Sequence, residues 1–290
     1  MDSLTHAALG AVVGELTLGR HLGRRALAWG ALLATIPDLD AFLLPFLNTV
    51  WSLRLHRGPT HSVLLAVALP LLLARPLARR WKKDKVSPQR AACLVFLTFT
   101  THLLLDLFTT YGTQIFAPFH GHPASFDNLF IIDPLFTLPL LVAVLWCLFI
   151  GHPQRKQGRA LRIAGCCLGI SCAYLGLSFA AKATVGRAIR NDLARRQVPW
   201  QRKLETPAPF NILLWRCLID RGDELWLGCR SVFDGDMPIH WTIIDKGAAH
   251  LDQHADAREV RELRRFSKDW LYARRTEDGL WLVDARFGES

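Results

Sequence analysis

Nothing basic precedes the first apolar block of this chain. It starts Met1-Asp2-Ser3, and the block that follows already carries His6 and Glu15. A secretory signal needs a positive region ahead of an uninterrupted apolar core, so this segment is expected to stay attached as a membrane helix. An even spread of apolar residues is also missing. Half of the 290 residues are apolar, but they gather in long blocks over the first two thirds, separated by short basic loops. That pattern speaks against an ordinary soluble domain and for a polytopic membrane protein. Acidic residues are fewer than basic ones, 25 against 35, for a net charge of +10. Basic residues placed in loops between apolar blocks meet anionic lipid, so membrane lipids are the expected partners and nucleic acid is not. No inverted repeat is visible of the kind that builds many transporters.

The apolar blocks predict helices at about 4–19, 26–47, 61–79, 91–110, 128–150 and 161–181, each near the ~20 residues that cross the hydrocarbon core. Pro37 removes a backbone donor inside Ile36-Pro37-Asp38-Leu39-Asp40, so the second helix should break where its two carboxylates appear. Gly10 and Gly14 leave one face of the first helix open to close approach by another. Loop charge sets the orientation. Arg20, Arg24 and Arg25, the run from Arg75 to Arg90, and Arg155 to Arg162 lie in alternate loops; the other loops carry only Arg54 and Arg57, with no basic residue between Thr110 and Asp127. The rich set is expected in the cytoplasm, which puts the N-terminus and the His56–His61 loop outside.

Polar residues then fall at one end of the bundle. His6, Asp38, Asp40, His56, His61, His102 and Asp106 all lie in the outer part of this topology. His102 and Asp106 are four apart and share a helix face. The seven read as one set of metal ligands. Mixed imidazole and carboxylate donors suit zinc first, with manganese or iron as alternatives, and seven exceed one tetrahedral shell, so one or two ions are expected. In a two-metal site a shared water loses a proton near neutral pH and attacks. Arg57 and Asp40 are the candidates for catalytic roles, Arg57 as a clamp on a phosphate or carboxylate. Each residue also has a plainer reading. His6 could be a helix-to-helix hydrogen bond, Asp38 or Asp40 a cap, and His56 a surface histidine; His102 with Asp106 is hardest to dismiss, because carboxylates are costly inside apolar spans. His120 and His122 read as loop residues and Asp133 as a helix cap. Glu15 lies about 13 Å along the first helix from His6 and falls outside the set.

Four segments carry a resemblance: Asp2-x-x-Thr5-His6; Pro37-Asp38-x-Asp40; His56-Arg57-Gly58-Pro59-Thr60-His61-Ser62; and Thr101-His102-x-x-x-Asp106-x-x-Thr109-x-Tyr111-Gly112-Thr113. Together they resemble the bacterial membrane-bound, metal-dependent hydrolases, the YdjM-like proteins. Ile132-Asp133-Pro134 and Pro207-x-Pro209-Phe210-Asn211-x-Leu213-Leu214-Trp215-Arg216 are similar to segments of the longer members. The resemblance implies an inner-membrane metallohydrolase whose ligands are these His and Asp positions, and leaves the substrate open. The order His, Asp, His, His-x-x-x-Asp is also similar to that of zinc-dependent phospholipase C and P1-type nucleases, which favours a phosphoester substrate; a lipid or another ester stays open beside it.

After residue 181 the composition changes. Residues 182–206 read as a basic linker helix, and 207–290 as a small α+β domain, so the fold class is mainly α: a helical membrane domain of about six spans, residues 1–181, with that domain appended. Strands are expected at Phe210–Asp220, Glu224–Phe233, Pro238–Ile244 and Gly279–Phe287, and an amphipathic helix over Ala255–Ala273. Six spans from an outside N-terminus place the domain outside, although the basic residues of 182–203 argue otherwise. There Cys217 and Cys229, facing across a hairpin, could form a disulfide or remain free thiols; the other five cysteines read as packing residues. Three classes of function remain: a metallohydrolase at the outer leaflet, a cation transporter, and a membrane protein whose metal site is structural.

Overall fold

The computed structural model describes residues 1–149, 157–277 and 279–287. Helix α1 (Ser3–Leu22) is capped by Asp2, whose carboxylate accepts from the Thr5 backbone N–H at 3.0 Å and from the Thr5 hydroxyl at 2.5 Å. These bonds occupy orphan donors of the first turn and fix His6 just inside the helix. Gly23, at φ 57°, turns the chain straight into α2 (Arg24–Thr35). The two helices touch backbone to backbone. A Cβ at Gly30 would lie 3.0 Å from the Gly14 Cα and closer still to Gly10, which is why small residues recur there.

At Pro37 the α-helix ends and a 3₁₀ segment, Pro37–Phe46, runs on at a 45° bend, so the expected break carries Asp38 and Asp40 out of the α2 direction. A short helix α3 (Thr49–Leu55) and a 3₁₀ turn, Pro59–His61, lead into α4 (Val63–Arg80), and α5 (Pro88–Leu107) returns beside it. The loop from Phe108 to Asp133 folds back over this end of the bundle. Gln114 donates its backbone N–H to the Arg57 carbonyl at 2.9 Å and its side-chain amide to that of Arg54 at 3.0 Å. Asp133 caps α6 (Pro134–Phe149), accepting from the Leu135 and Phe136 N–H groups and from the Tyr174 hydroxyl.

The last helix, α7, runs unbroken over Gln157–Arg195. At 39 residues it is about 58 Å long, twice what the hydrocarbon requires. Its far end leaves the bundle and holds the C-terminal domain: Asp192 accepts from the Ile239 N–H at 3.3 Å and the Trp241 indole at 2.9 Å. Residues 182–195 are therefore a continuation of that helix, and 202–207, part of the expected linker, form the first strand. Strands β1 (Arg202–Pro207), β2 (Leu214–Asp220), β3 (Glu224–Ser231) and β4 (Trp241–Asp245) make an antiparallel meander. After α8 (Ala248–Gln253) and α9 (Arg258–Ser267), strands β5 (Leu271–Thr276) and β6 (Gly279–Asp284) form a separate hairpin. β1 and β5 escaped the sequence reading because their residues, Arg-Lys-Leu-Glu-Thr-Pro and Leu-Tyr-Ala-Arg-Arg-Thr, lack an apolar run.

Two expectations remain, the number of spans and the state of Cys217 and Cys229. Among the described residues only α5 and Gly158–Arg195 are long and apolar enough to cross a membrane, or up to four spans if the bent pairs Arg24–Thr35 with Pro37–Phe46 and Thr49–His61 with Val63–Arg80 each count as one. Six clear spans are not present: α1 carries too much polarity and α6, at 16 residues, is short. Cys217 and Cys229 are free. Cys217 pairs with Gly228 and Cys229 with Arg216, so the two thiols are one register step apart and point to opposite faces of the sheet.

The domain docks on the end of the bundle that holds Asp38 to His61. Arg54 of α3 pairs with Glu262 of α9, Arg265 donates to the Gly121 carbonyl, and Arg286 donates to the Thr110 carbonyl at 3.2 Å. Elsewhere α4, α6 and α7 present Leu71, Leu72, Phe149, Ile170 and Leu177 outward, a surface that suits hydrocarbon.

Candidate functional site

Five of the seven polar residues meet. His6 comes from α1, Asp38 from the 3₁₀ segment after Pro37, His61 from the turn before α4, and His102 with Asp106 from one face of α5. One donor atom from each of His6, Asp38, His102 and Asp106 lies within 4.8 Å of all the others, and His61 contacts three of these four. The His61 Nε2 stands 3.1 Å from the His102 Nε2, 3.3 Å from an Asp106 oxygen and 3.5 Å from Asp38. His6 stacks on His102 with ring centroids 3.6 Å apart and directs its Nε2 to the other Asp106 oxygen at 3.1 Å. His6, His61, His102 and Asp106 are each at most 1% exposed.

Neighbouring groups set the direction of the rings. His102 Nδ1–H donates to the Ala34 carbonyl at 2.7 Å, which leaves its Nε2 lone pair facing the cluster. His61 Nδ1 faces the Thr60 hydroxyl at 2.9 Å and Asp40 at 3.7 Å, so its Nε2 faces inward too. Two imidazole nitrogens aimed at each other across 3.1 Å need a proton or a cation between them. The Asp106 Oδ2 is buried and faces the His61 and His102 Nε2 atoms at 3.3 and 3.4 Å, and the His6 Nδ1 is buried without a hydrogen-bond partner. Convergent imidazole nitrogens and two carboxylates form a donor set that fits a divalent cation.

The other two expected ligands stand behind this group. Asp40 accepts from the Arg57 N–H and the Thr60 hydroxyl, each at 3.0 Å, and faces His56 Nδ1 at 3.3 Å. Its oxygens are thus occupied by donors, and the Asp40–His56 pair braces His61 from outside the cluster. The spacing of the motif could not separate these roles, because it is the left-handed turn at Arg57, φ 52°, that puts His56 and His61 on opposite sides of Asp40. Arg57 also differs from the expected clamp. Its guanidinium is 3% exposed and bonds Asp106 at 3.0 Å, the Thr109 hydroxyl at 2.9 Å and the Met1 carbonyl at 3.4 Å. It holds Asp106 and closes one wall instead of reaching toward a bound anion.

Several contributors were not assigned a role from the sequence. The Met1 amine bonds the Asp106 carboxylate, and Ser3 donates to Asp38 at 3.1 Å. Tyr111 lies under the Arg57 guanidinium at 5.0 Å and meets both His56 and Phe266 edge to face. Burial pushes its phenol up to about 12, so it stays protonated at neutral pH. The motif did contain Thr60, Thr109 and Tyr111, and the adjacency of Thr60 to His61 was the one usable clue to its role. His120 and His122 are exposed and stack on each other away from the cluster.

Residues 1–185, which contain the whole cluster, match the model of the YdjM inner membrane protein family. The chain belongs to that family. Similar sequences include the inner membrane protein YbcI of Escherichia coli K12, 37% identical over 39% of this chain and 63% of its own length. The uncharacterized protein YfhP of Bacillus subtilis 168 is 29% identical over 50% of this chain and 45% of its own. The chain thus covers less than two thirds of each relative. No solved structure matches it. Family membership and the apolar helices place the chain as a bacterial inner membrane protein.

Proposed function

We propose that this YdjM family member is a membrane-embedded, metal-dependent hydrolase acting on a phosphoester, lipid or other ester at the outer face of the inner membrane. The observation that carries the reading is the convergence of His6, Asp38, His61, His102 and Asp106, from four separate elements, in one buried cluster in which the His61 and His102 Nε2 atoms face each other at 3.1 Å. Two imidazole nitrogens that close need a shared proton or cation, and the two carboxylates beside them favour the cation. Zinc fits the donors first, and manganese or iron would also be accepted. A divalent ion supplies Lewis acidity there, activating water and polarising the ester.

The chain's own residues do the rest. Ala34 and Thr60 fix the orientation of the His102 and His61 rings, Asp40 with His56 braces His61, and Arg57 balances part of the Asp106 charge. Asp38 is the most accessible of the five, with 14% of its side chain exposed, and marks the side from which water and substrate arrive. Loop charge supports an outside location for this end of the bundle, and the docking of the C-terminal domain on the same end supports an outside location for that domain too. The six-span topology of the sequence reading is kept as part of this proposal, with α1 and α6 crossing within the bundle.

The test is turnover. Purified full-length protein, stripped with a chelator and reloaded with zinc or manganese, is assayed on bis(p-nitrophenyl) phosphate, p-nitrophenyl phosphate and short-chain p-nitrophenyl esters. Metal-restored hydrolysis that disappears in Asp38→Ala and Asp106→Ala is the expected result. Hydrolysis that is indifferent to the chelator, or equal in both variants, refutes the proposal.

A further inference from the structure

A cavity of about 820 Å³ lies between the membrane bundle and the C-terminal sheet, in the size range of small-molecule sites. On the bundle side it is bounded by Thr109, Tyr111 and Leu129 to Ile131. Thr109 and Tyr111 are also the residues that contact Arg57, so the cavity shares a wall with the His and Asp cluster. On the domain side the floor is one face of the meander. Thr206 pairs with Arg216 and Arg216 with Cys229, so these three side chains stand in a row across β1, β2 and β3, with Leu214 two positions along on the same face. Phe266, Phe287 and Arg286 complete the enclosure.

Two features restrict what can occupy it. The lining is mainly apolar, yet it holds two guanidinium groups and no carboxylate. Arg286 is balanced by Asp284 at 2.7 Å. Arg216 is not: among the described residues its side chain makes no ion pair, and its Nε is buried without a hydrogen-bond partner. An unbalanced guanidinium in an apolar enclosure calls for an anion, and Arg matches phosphate geometry. The residues beside the cavity in the chain extend the apolar character outward. Ile132 and Leu135 at the start of α6, and Phe210 and Leu213 before β2, are all exposed, as a path from hydrocarbon would require.

We propose that this cavity binds a lipid phosphate, its hydrocarbon chain against Leu129, Phe130 and Leu214 and its anionic phosphate on Arg216. Binding stands on the cavity alone; only the further step, that this lipid is what the neighbouring cluster hydrolyses, rests on the hydrolase reading. Cys229 is an exposed free thiol in register with Arg216 and serves as a built-in reporter.

The experiment follows N-ethylmaleimide modification of Cys229 by peptide mass spectrometry, using metal-stripped full-length protein in dodecyl maltoside. Dioleoyl phosphatidate is compared with dioleoyl phosphatidylcholine and with glycerol 3-phosphate. Phosphatidate should slow the reaction about ten-fold, with phosphatidylcholine and glycerol 3-phosphate far weaker, and Arg216→Gln should shift the protecting concentration up by about ten-fold or more, each variant normalised to its own lipid-free rate. Equal protection by phosphatidylcholine, protection by glycerol 3-phosphate alone, no protection, or an unchanged response in Arg216→Gln overturns the proposal. Because the protein is metal-stripped, failure here leaves the turnover test untouched, and failure of turnover leaves this one standing.

Discussion

Replacing Asp40 by Asn isolates the brace behind the cluster from the cluster itself. The Asp40 Oδ2 accepts two hydrogen bonds at 3.0 Å, from the Arg57 N–H and the Thr60 hydroxyl, and Thr60 in turn faces His61 Nδ1 at 2.9 Å. Asn keeps the shape and, turned with its carbonyl toward those donors, can keep both bonds in neutral form. It loses the charge-assisted part of each and the attraction for His56, and a charged acceptor is roughly twice as strong as a neutral one. Loss of such an orienting carboxylate typically weakens metal binding by about 10- to 100-fold, or roughly 1.4 to 2.7 kcal/mol. Asp40→Asn should therefore bind zinc with the same stoichiometry as the wild type but 10- to 100-fold more weakly, read by competition against a fluorescent chelator in detergent. Unchanged affinity would show that the brace has no influence on His61. Loss of the bound ion altogether, as expected for Asp106→Ala, would make Asp40 a ligand and refute the separation of roles drawn from the geometry.

Other outcomes follow from the packing and the domain contact. Gly30→Leu drives a side chain into the Gly10 and Gly14 backbone, where even a Cβ is too close, and should cost about 1 to 3 kcal/mol or more, read as a lower Tm in detergent. Tyr111 acts through its ring, so Tyr111→Phe should stay within about 1 kcal/mol of the wild type while Tyr111→Ala loses about 3 kcal/mol or more, both read from Tm. The Arg54 hydrogen bond, followed by that of Arg265, holds the Glu262 carboxyl below the usual glutamate range. A depressed folded-state pKa contributes stability that is complete above the ordinary value near 4.5 and is lost as pH falls through the lowered one. Hydrogen-exchange protection factors in α3 and α9, which correct for the intrinsic pH dependence of exchange, should accordingly fall only below about pH 4.5, and Glu262→Gln should flatten that dependence; a fall in protection between pH 6 and 8 would contradict it.

The sequence exposed the parts of this protein that depend on single residues or short spacings. Pro37 marked the break that carries Asp38, and the four-residue spacing of His102 and Asp106 put both on one face of α5. It did not reveal what depends on distant chain segments. His56 and His61 look equivalent until the left-handed turn at Arg57 separates them, and Arg57 looks free until Asp106 of α5 and Thr109 just beyond it arrive from some fifty residues away. The span count was legible only in part for a related reason. His6, Glu15 and Arg20 dilute the apolar character of α1, while α7 has no breaker between the bundle and Arg195 and so continues into the domain. The first strand was hidden because Arg202, Lys203 and Glu205 stabilise an edge through pairing and charge instead of an apolar run.

The most direct test of the central claim is the metal content of the purified full-length protein, measured by inductively coupled plasma mass spectrometry alongside His102→Ala and Asp106→Ala. The account predicts one or two zinc, manganese or iron ions per wild-type chain, lost in both variants while each remains folded in the membrane. A wild-type chain without bound metal after expression in zinc- and manganese-supplemented medium, or the full complement retained in both variants, would contradict it.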